Sequence, residues 1–224
     1  EGRVIAILAI KSGGAMGFGI PSNSLQDLLS KQNPIPMKKW LTIGALDELE
    51  WESVMAGSWK QRAGIITASG LGSGFGGRML CLSHARTHPI PYELEVEVRL
   101  ADESGAAGLV FHGDGKDQHY GFYPTNGSLR LTRFEGPNVF SWTILKTLET
   151  DAYRPGEWNR LRVRLEKEGR IICSVNDQVL IDLVDQSLKN GRIGLCKFRL
   201  PTAEFRKFRH SKRFPKSSIS PALA

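Results

Sequence analysis

The sequence predicts an all-β fold in which two antiparallel sheets pack face to face. Apolar and polar residues alternate with a period of two in several stretches, most clearly at residues 92–100 (YELEVEVRL) and 159–165 (NRLRVRL), which is typical of strands with one buried face. Turn signals recur at close spacing between residues 52 and 210, and no convincing helical pattern interrupts them. About a dozen short strands of this kind predict a sandwich.

Residues 156–198 contain the strand pattern around which the larger domain is organised. Leu161, Val163 and Leu165 alternate with arginines, and a second alternation follows at residues 171–175. Asn176-Asp177 then predicts a tight reversal into a third strand. A fourth short strand lies between glycines and ends near residue 198. We expect these strands to form an antiparallel meander.

The chain has 224 residues, which is enough to bury a hydrophobic core, and a formal charge of +7. Much of the positive charge is near the C-terminus, and we interpret this cluster as a solvated strand face plus a linker rather than a nucleic-acid site. No apolar run approaches the ~20 residues that span a bilayer, and residues 4–10 lack the features of a signal peptide. The cluster consists of Lys197, Arg199, Arg206, Lys207, Arg209, Lys212, Arg213 and Lys216.

The cysteines and histidines do not form a recognisable metal or disulfide pattern. Cys81, Cys173 and Cys196 each lie within an apolar strand, which favours small core residues, with one disulfide and a leftover thiol as the alternative. His84 and His88 have i, i+4 spacing, but Pro89 removes the helix that would align them. Oxygen atoms of the loop at residues 114–119 are a further candidate for an ion. We predict no cofactor and no metal.

The N-terminal block differs from the rest of the chain. Residues 3–10 predict a buried strand, residues 16–20 a second strand, and residues 25–32 a short helix. The strings GRVIAI at residues 2–7 and GFGIPSN at residues 17–23 resemble the closing strands of a trypsin-like serine protease of the HtrA type. The resemblance implies a partial β-barrel remnant over residues 1–32, whose GNSGGP-like nucleophile motif would lie upstream of Glu1. No serine in this block has a base and an oxyanion hole in register, so we expect no protease activity.

The proline- and lysine-rich string KQNPIPMKK at residues 31–39 is typical of a linker, which we predict over residues 33–51. Residues 40–51 are ambiguous, and an edge of the following domain is the alternative. Residues 52–210 contain a characteristic order of short segments: GSW at residues 57–59, YELEVEV at 92–98, GAAGLVF at 105–111, YGF at 120–122, GEWNRLRV at 156–163, VND at 175–177, GRIGL at 191–195 and AEFRKF at 203–208. This order resembles that of concanavalin A-like lectin/glucanase jelly rolls, especially the bacterial 3-keto-disaccharide hydrolase and laminin-G-like groups. The resemblance implies a jelly-roll sandwich and slightly favours an extracytoplasmic location. Residues 211–224 predict a basic tail.

Two motifs invite a catalytic interpretation that we do not favour. Glu93, Glu95 and Glu97 lie opposite the apolar side of their strand, and we expect them on a solvated face. The E-x-D-x-x-E pattern of the glucanases is absent, and no convincing pair of carboxylates suits retaining hydrolysis. The string LGSGFGG at residues 71–77 precedes a strand and lacks the Lys-Ser/Thr of a P-loop, which indicates a hairpin loop.

The resemblance places a ligand on the concave sheet or on the loops at its rim. Aromatic rings pack on the apolar face of a pyranose, while Arg, Asp and His bind its polar edges. The candidate ligand-binding residues are His112, Asp114, His119, Tyr123, Arg130 and Trp142. We predict a non-catalytic module, appended to a serine protease, that binds carbohydrate or a protein surface. The alternatives are a glycoside hydrolase using residues 112–123 and a structural protein-interaction module.

Overall fold

The computed structural model describes the backbone of residues 6–12 and 16–21 and all of residues 44–214. The first two strands, β1 (Ala6–Ser12) and β2 (Met16–Pro21), form an antiparallel hairpin in which Ala6 lies opposite Pro21. This agrees with the two predicted N-terminal strands. The predicted helix at residues 25–32, most of the predicted linker and the last ten residues of the basic tail lie outside the described residues.

Fourteen further strands follow from residue 51 onwards. Three short 3₁₀ turns interrupt them, at Phe75–Gly77, Val139–Ser141 and Lys167–Gly169. The strands are β3 (Trp51–Val54), β4 (Ser58–Arg62), β5 (Ile65–Ser69), β6 (Met79–Ser83), β7 (Tyr92–Leu100), β8 (Ala106–Gly113), β9 (Gln118–Thr125), β10 (Ser128–Glu135), β11 (Trp142–Leu148), β12 (Asn159–Leu165), β13 (Arg170–Val175), β14 (Gln178–Val184), β15 (Arg192–Phe198) and β16 (Ala203–Ser211).

These strands form two seven-stranded antiparallel sheets, which confirms the predicted fold class. The first sheet has the order β11-β10-β9-β8-β15-β6-β3, and the second has the order β14-β13-β12-β7-β16-β5-β4. The predicted meander is correct for β12, β13 and β14. It is wrong for β15, which crosses to the first sheet and pairs with β8 and β6. The connection before β15, residues 185–191, is compatible with either sheet, so the sequence pattern does not determine the partner of this strand.

The main core lies between the two sheets. Leu94, Val96 and Val98 of β7 belong to the same buried cluster as Leu109 and Phe111 of β8. The three cysteines are buried free thiols, as the interpretation of small core residues predicted. Burial raises the pKa of Cys196 to about 12, so its thiol remains protonated at neutral pH.

The prediction of a solvated glutamate face on β7 is wrong. Glu93 and Glu95 are only 6% and 2% exposed. The register of the sheet places Arg162 and Arg164 of β12 opposite Glu95 and Glu93, and Arg209 of β16 lies on the other side of Glu95. Glu95 is therefore enclosed by arginines from both neighbouring strands, whereas Glu93 has an arginine on the β12 side only. These arginines compensate the cost of burying the charge.

The interpretation of the C-terminal cluster as a solvated face also needs correction. Lys197 is fully buried, and its ammonium group donates to the carbonyls of Gly70 and Arg199.

Residues 212–214 return across the outer face of the second sheet, and we call this segment the C-terminal strap. The Phe214 amide donates to Glu93 Oε2 at 2.8 Å, and its ring lies 5.3 Å from the guanidinium of Arg162.

Residues that precede the predicted domain start at residue 52 also contact the sandwich. The Gly44 amide donates to the carbonyl of Gln61 at 3.0 Å, and Leu46 packs against the main core. Trp51 is buried, and its ring lies edge-on to Phe208 with centroids 5.0 Å apart. Residues 44–51 thus contact the sandwich.

Candidate functional site

The outer face of the first sheet carries a second apolar cluster. On a half-solvated sheet the outward positions are usually polar, because successive side chains alternate between the two faces. Here many of the outward positions of β6, β8, β9, β10 and β15 are apolar or aromatic instead. The cluster consists of Leu80, Leu82, Ala106, Val110, Tyr123, Phe134, Cys196 and Phe198, with Val54, Met55 and Trp142 packed against it.

Aromatic rings dominate the centre of this cluster. Phe134 stacks on Phe198 with centroids 5.4 Å apart, and Tyr123 lies 5.0 Å from Phe198. Trp142, at the start of the edge strand β11, packs edge-on against Phe134 at 4.8 Å. Its indole Nε1 donates to the carbonyl of Gly136 at 3.1 Å, which fixes the orientation of the ring.

A groove of about 310 Å³ lies over these rings, and we call it the face groove. Its lining includes three exposed apolar side chains, those of Phe75, Val139 and Ile144, and the exposed Phe140 and Leu200 each follow a lining residue in the sequence. The lining contains no carboxylate. It consists of Phe75, Gly76, Ala106, Tyr123, Thr125, Arg130, Thr132, Val139, Trp142, Ile144, Phe198 and Arg199.

The polar atoms of the face groove are hydroxyls and guanidinium groups. The hydroxyls of Tyr123 and Thr132 are hydrogen-bonded at 2.8 Å. Burial raises the pKa of Tyr123 to about 12, whereas the nearby guanidinium of Arg130 acts in the opposite direction. Arg130 Nε donates to Thr147 Oγ1 at 3.3 Å. The tyrosine therefore presents a neutral hydroxyl close to a positive charge.

Arg78 lies buried beneath the groove and links two loops. Its guanidinium is 5.4 Å from the ring centroid of Phe134 and 5.3 Å from that of Trp142. It donates to Asp117 Oδ1 at 2.5 Å and to the Gly136 carbonyl at 3.4 Å. Arg78 thereby connects the loop at residues 114–118 and the loop at residues 136–141 to the aromatic cluster.

Asp114 and His119 have structural roles in the described conformation. Asp114 Oδ1 accepts from the amides of Lys116 and Gln118 at 2.7 and 3.0 Å, which closes the loop. His119 has no exposed surface and stacks on Phe134 at 4.3 Å. Burial, reinforced by Arg78, lowers the pKa of His119 to about 3, so the imidazole is neutral.

His112 lies in a different groove of about 280 Å³ at one end of the sandwich, which we call the rim groove. Its backbone φ of +52° is unusual for a residue other than glycine. Burial lowers the pKa of His112 to about 4, with a backbone hydrogen bond to Lys189 acting in the opposite direction. Carboxylates also line this groove, and the lining includes Tyr120, Glu166, Glu168, Arg170, Asp185 and Lys189.

Two side chains of the rim groove, the Tyr120 phenol and the Asp185 carboxylate, are hydrogen-bonded to each other. The Tyr120 hydroxyl donates to Asp185 Oδ1 at 2.5 Å, and Arg133 binds the other oxygen of the same carboxylate. These contacts, with that of Ser187, lower the pKa of Asp185 in spite of its partial burial. Asp185 is therefore ionised at neutral pH.

The structure thus divides the six predicted residues. Tyr123, Arg130 and Trp142 line the face groove, and His112 lines the rim groove. Asp114 lies in the adjoining loop, and His119 lies under the aromatic cluster. The sequence analysis did not find Phe75, Thr132, Phe198 and Arg199. The side-chain alternation that selected Tyr123 and Arg130 also selects Thr132 and Phe198, whereas no local signal identifies Phe75 or Arg199.

The described residues contain neither a metal-binding cluster nor a membrane-spanning helix. Between residues 44 and 214 no three His, Cys, Asp or Glu side chains are arranged to hold a metal ion. No helix among the described residues has the length and apolar character needed to cross a bilayer.

Comparisons with known proteins place this geometry in context. The carbohydrate-binding module CBM66 of Bacillus subtilis superposes with a TM-score of 0.61 at 18% identity, over 72% of this chain and 95% of that one. A Bacillus subtilis protein of unknown function with a galectin-like fold gives 0.57 at 11% identity, over 76% of this chain and 93% of that one. Cellulose induced protein Cip1 gives 0.52 at 13% identity, over 75% of this chain and 94% of that one. These likenesses establish the jelly-roll fold.

The sequence comparisons identify the family. No curated protein matches the chain. The family model described as "3-keto-alpha-glucoside-1,2-lyase-like domain" matches residues 50–210, which is most of the sandwich. The chain therefore belongs to the family of 3-keto-alpha-glucoside-1,2-lyase-like domains.

Proposed function

We propose that this chain is a carbohydrate-binding module and that the saccharide lies in the face groove. The observation that carries the proposal is an aromatic cluster on the outer face of a sheet, bordered by hydroxyls and guanidinium groups. Pyranose rings have apolar faces and polar edges, and they pack on aromatic side chains of this kind. The shared fold with a carbohydrate-binding module supports the same function.

Three of the six predicted residues, Trp142, Tyr123 and Arg130, have roles in this proposal. Trp142 provides the stacking surface, because Phe134 and the Gly136 carbonyl hold its indole in place. Tyr123 and Thr132 supply hydroxyls at the base of the groove. Arg130 supplies donors at its border, and Phe75 lies edge-on to Trp142 at 5.7 Å. The apolar face of a sugar ring between these groups would pack on the aromatic side chains, and its hydroxyls would form hydrogen bonds with the polar ones.

The proposal is tested by titrating the full chain with a panel of soluble oligosaccharides, by calorimetry and by tryptophan fluorescence. We expect the chain to bind a saccharide. Phe75→Ala should weaken this binding, and Trp142→Ala should weaken it by at least about tenfold. Trp158→Ala is the matched control, because Trp158 lies on the second sheet between Arg99 and Arg206. Circular dichroism checks that each variant is folded. Binding that is unchanged in both groove variants, or no binding to any saccharide, would overturn the proposal.

A second candidate function is an enzyme that acts on a saccharide in the rim groove. The observation that favours it is the combination of a neutral His112 in an unusual backbone conformation with the Tyr120–Asp185 pair. A neutral imidazole can accept a proton at neutral pH, and an ionised carboxylate can hold a phenol in position. The family description makes a 3-keto-glucoside the first substrate to assay.

The enzyme proposal is tested by incubating the chain with 3-keto-disaccharides and ordinary disaccharides and measuring the sugar released. Catalysis in the rim groove would be supported if His112→Ala and Tyr120→Phe abolish turnover. Trp142→Ala should leave turnover in place at saturating substrate. Binding without turnover would support the binding module alone. If the chain neither binds nor cleaves sugars, the exposed apolar side chains around the face groove would favour a protein ligand instead.

We further propose that the N-terminal hairpin is the end of a trypsin-like protease domain in the natural protein. The strings GRVIAI and GFGIPSN support this, and the antiparallel pairing of β1 with β2 is compatible with closing barrel strands. The test is to read the gene upstream of the codon for Glu1. A GNSGGP-like motif preceded by a histidine and an aspartate would support the attachment, and an unrelated upstream sequence would overturn it.

A further inference from the structure

We infer that the saccharide bound in the face groove is negatively charged, with its carboxylate or sulfate group placed against Arg130 and Arg199. The inference rests on the proposed function, since it concerns the same groove. It specifies the class of sugar, namely acidic saccharides rather than neutral ones. The observations that carry it are the pairing of arginines across the domain and the charge of the groove lining.

Most arginines in residues 44–214 form ion pairs. On the second sheet, Arg162 binds Glu95, Arg206 binds Glu97 and Arg99 binds Glu204. The buried Arg78 binds Asp117. Pairing with a carboxylate is therefore the usual arrangement of an arginine in this part of the chain.

Arg130 and Arg199 depart from this arrangement. Within residues 44–214 their hydrogen bonds go to neutral acceptors: Arg130 donates to the Thr147 hydroxyl at 3.3 Å. Arg199 Nη1 donates to the Ser104 carbonyl at 2.7 Å and to the Thr125 hydroxyl at 3.1 Å. Both side chains line the same groove, whose lining contains no acidic residue.

The local backbone keeps Arg199 at this position. Arg199 has a φ of +63°, and its amide donates to the carbonyl of Gly76 at 2.9 Å. The arginine is thus connected through its main chain to the loop that carries Phe75. A residue other than glycine in this conformation costs backbone free energy. The cost is understandable if the side chain is needed at the groove.

A neutral ligand would fit this lining less well than an anionic one. A sugar that covers the groove removes water from both guanidinium groups, and a neutral sugar offers only hydroxyls in exchange. A carboxylate or sulfate accepts two parallel N–H bonds from a guanidinium and balances its charge. The aromatic rings still provide a surface for the apolar face of the sugar. The groove therefore combines the two features that recognition of an acidic pyranose requires.

The test uses pairs of saccharides in which one member carries an anionic group that is esterified or removed in the other. Oligogalacturonides and their fully methyl-esterified forms make one pair, and sulfated and desulfated galactan oligosaccharides make a second. Calorimetry on the full chain compares the members of each pair at about 50 and about 300 mM salt, because salt screens the expected contact. We expect the charged member of at least one pair to bind at least about tenfold more tightly, with the difference shrinking in high salt.

Substitutions then assign the effect to the two arginines. Arg130→Gln and Arg199→Gln should each remove most of the preference for the charged member, so that the ratio of the two affinities falls towards one. Arg62→Gln is the matched control, since Arg62 is an exposed arginine at the end of β4 in the second sheet. It should leave the preference intact.

The outcomes separate this inference from the proposed function. If charged and neutral members bind equally, or only neutral sugars bind in the wider panel, the inference fails and the carbohydrate-binding module stands. If a preference for charge persists in both arginine variants, the assignment to this groove fails. If no saccharide of either kind binds, the inference fails together with the proposed function.

Discussion

Arg162 and Glu95 lie directly opposite each other on neighbouring strands, and two nitrogens of the guanidinium reach the same carboxylate oxygen. The distances from Nε and Nη2 to Oε2 are 2.8 and 2.6 Å. On the other side, Arg209 donates from Nε and Nη2 to Oε1 at 3.0 and 2.7 Å. A carboxylate that is almost fully buried is thus saturated by two cations.

Replacement of this carboxylate tests how far the outer face of the second sheet depends on it. We expect Glu95→Gln to lower the free energy of unfolding by about 2–3 kcal/mol, because the amide keeps the shape but leaves Arg162 and Arg209 without a counter-charge. Urea unfolding followed by circular dichroism measures the change. Asp182→Asn is the matched control, since the Arg170–Asp182 pair is largely exposed. A loss in the control as large as that in Glu95→Gln would contradict the expectation.

The buried histidine of β9 predicts a specific dependence of stability on pH. The pKa of His119 is lowered from its ordinary value of 6.5 to about 3 in the folded state. The unfolded chain therefore takes up a proton below about pH 6.5 that the folded chain does not, so stability falls as the pH falls through this window. The contribution of one such group is at most about 1.4 kcal/mol per pH unit.

His119→Phe isolates this contribution, because phenylalanine can keep the stacking on Phe134 and does not titrate. We expect the free energy of unfolding of the variant to fall less steeply than that of the natural chain between pH 6.5 and about pH 4. Urea unfolding at half-unit steps of pH provides the two curves. Parallel curves would mean that His119 takes up its proton equally in both states.

The turn before β15 depends on the absence of a side chain at Gly191. Its φ is +146°, and a Cβ there would lie 2.5 Å from the carbonyl carbon of His112 and 2.6 Å from the Gly113 oxygen. Because both contacts are to backbone, we expect Gly191→Ala to destabilise the domain by about 3 kcal/mol or more. Thermal and urea unfolding measure the loss.

Gly156 provides the comparison for that prediction. It also has a positive φ, of +74°, but a Cβ there would meet no atom within 4 Å. Gly156→Ala should therefore lower the free energy of unfolding only by the cost of a positive φ at alanine, about 1 kcal/mol. Similar losses in the two variants would show that strain, and not the close approach to β8, sets the cost at Gly191.

The sequence predicted the strands well because alternation is a local property. The side chains of β7 and β12 alternate between a core face and an outer face, and this pattern is sufficient to place Leu94 and Val163 correctly. The alternation does not reveal whether an outer face is exposed to solvent. Glu95 is buried because β12 and β16 bring arginines beside it, and these partners come from distant parts of the chain.

The same limit explains which candidate residues the sequence could identify. Tyr123 and Arg130 were found because alternation directs them outwards, and both line the face groove. His119 has the same outward parity, yet it packs against Phe134 and so has no exposed surface. Arg199 belongs to the groove only because the chain returns past residue 76 after β15. Such contacts depend on topology, which a period of two does not encode.

The C-terminal strap has a practical consequence for anyone who expresses or dissects this domain. A recombinant protein that stops at residue 210, where the family match ends, would lack the amide that binds Glu93 and the ring that covers Arg162 and Arg209. Proteolysis or an insertion between residues 211 and 214 would expose the buried glutamates of β7, Glu93 and Glu95, to water. The shortest version that keeps every described contact of the sandwich runs from residue 44 to residue 214.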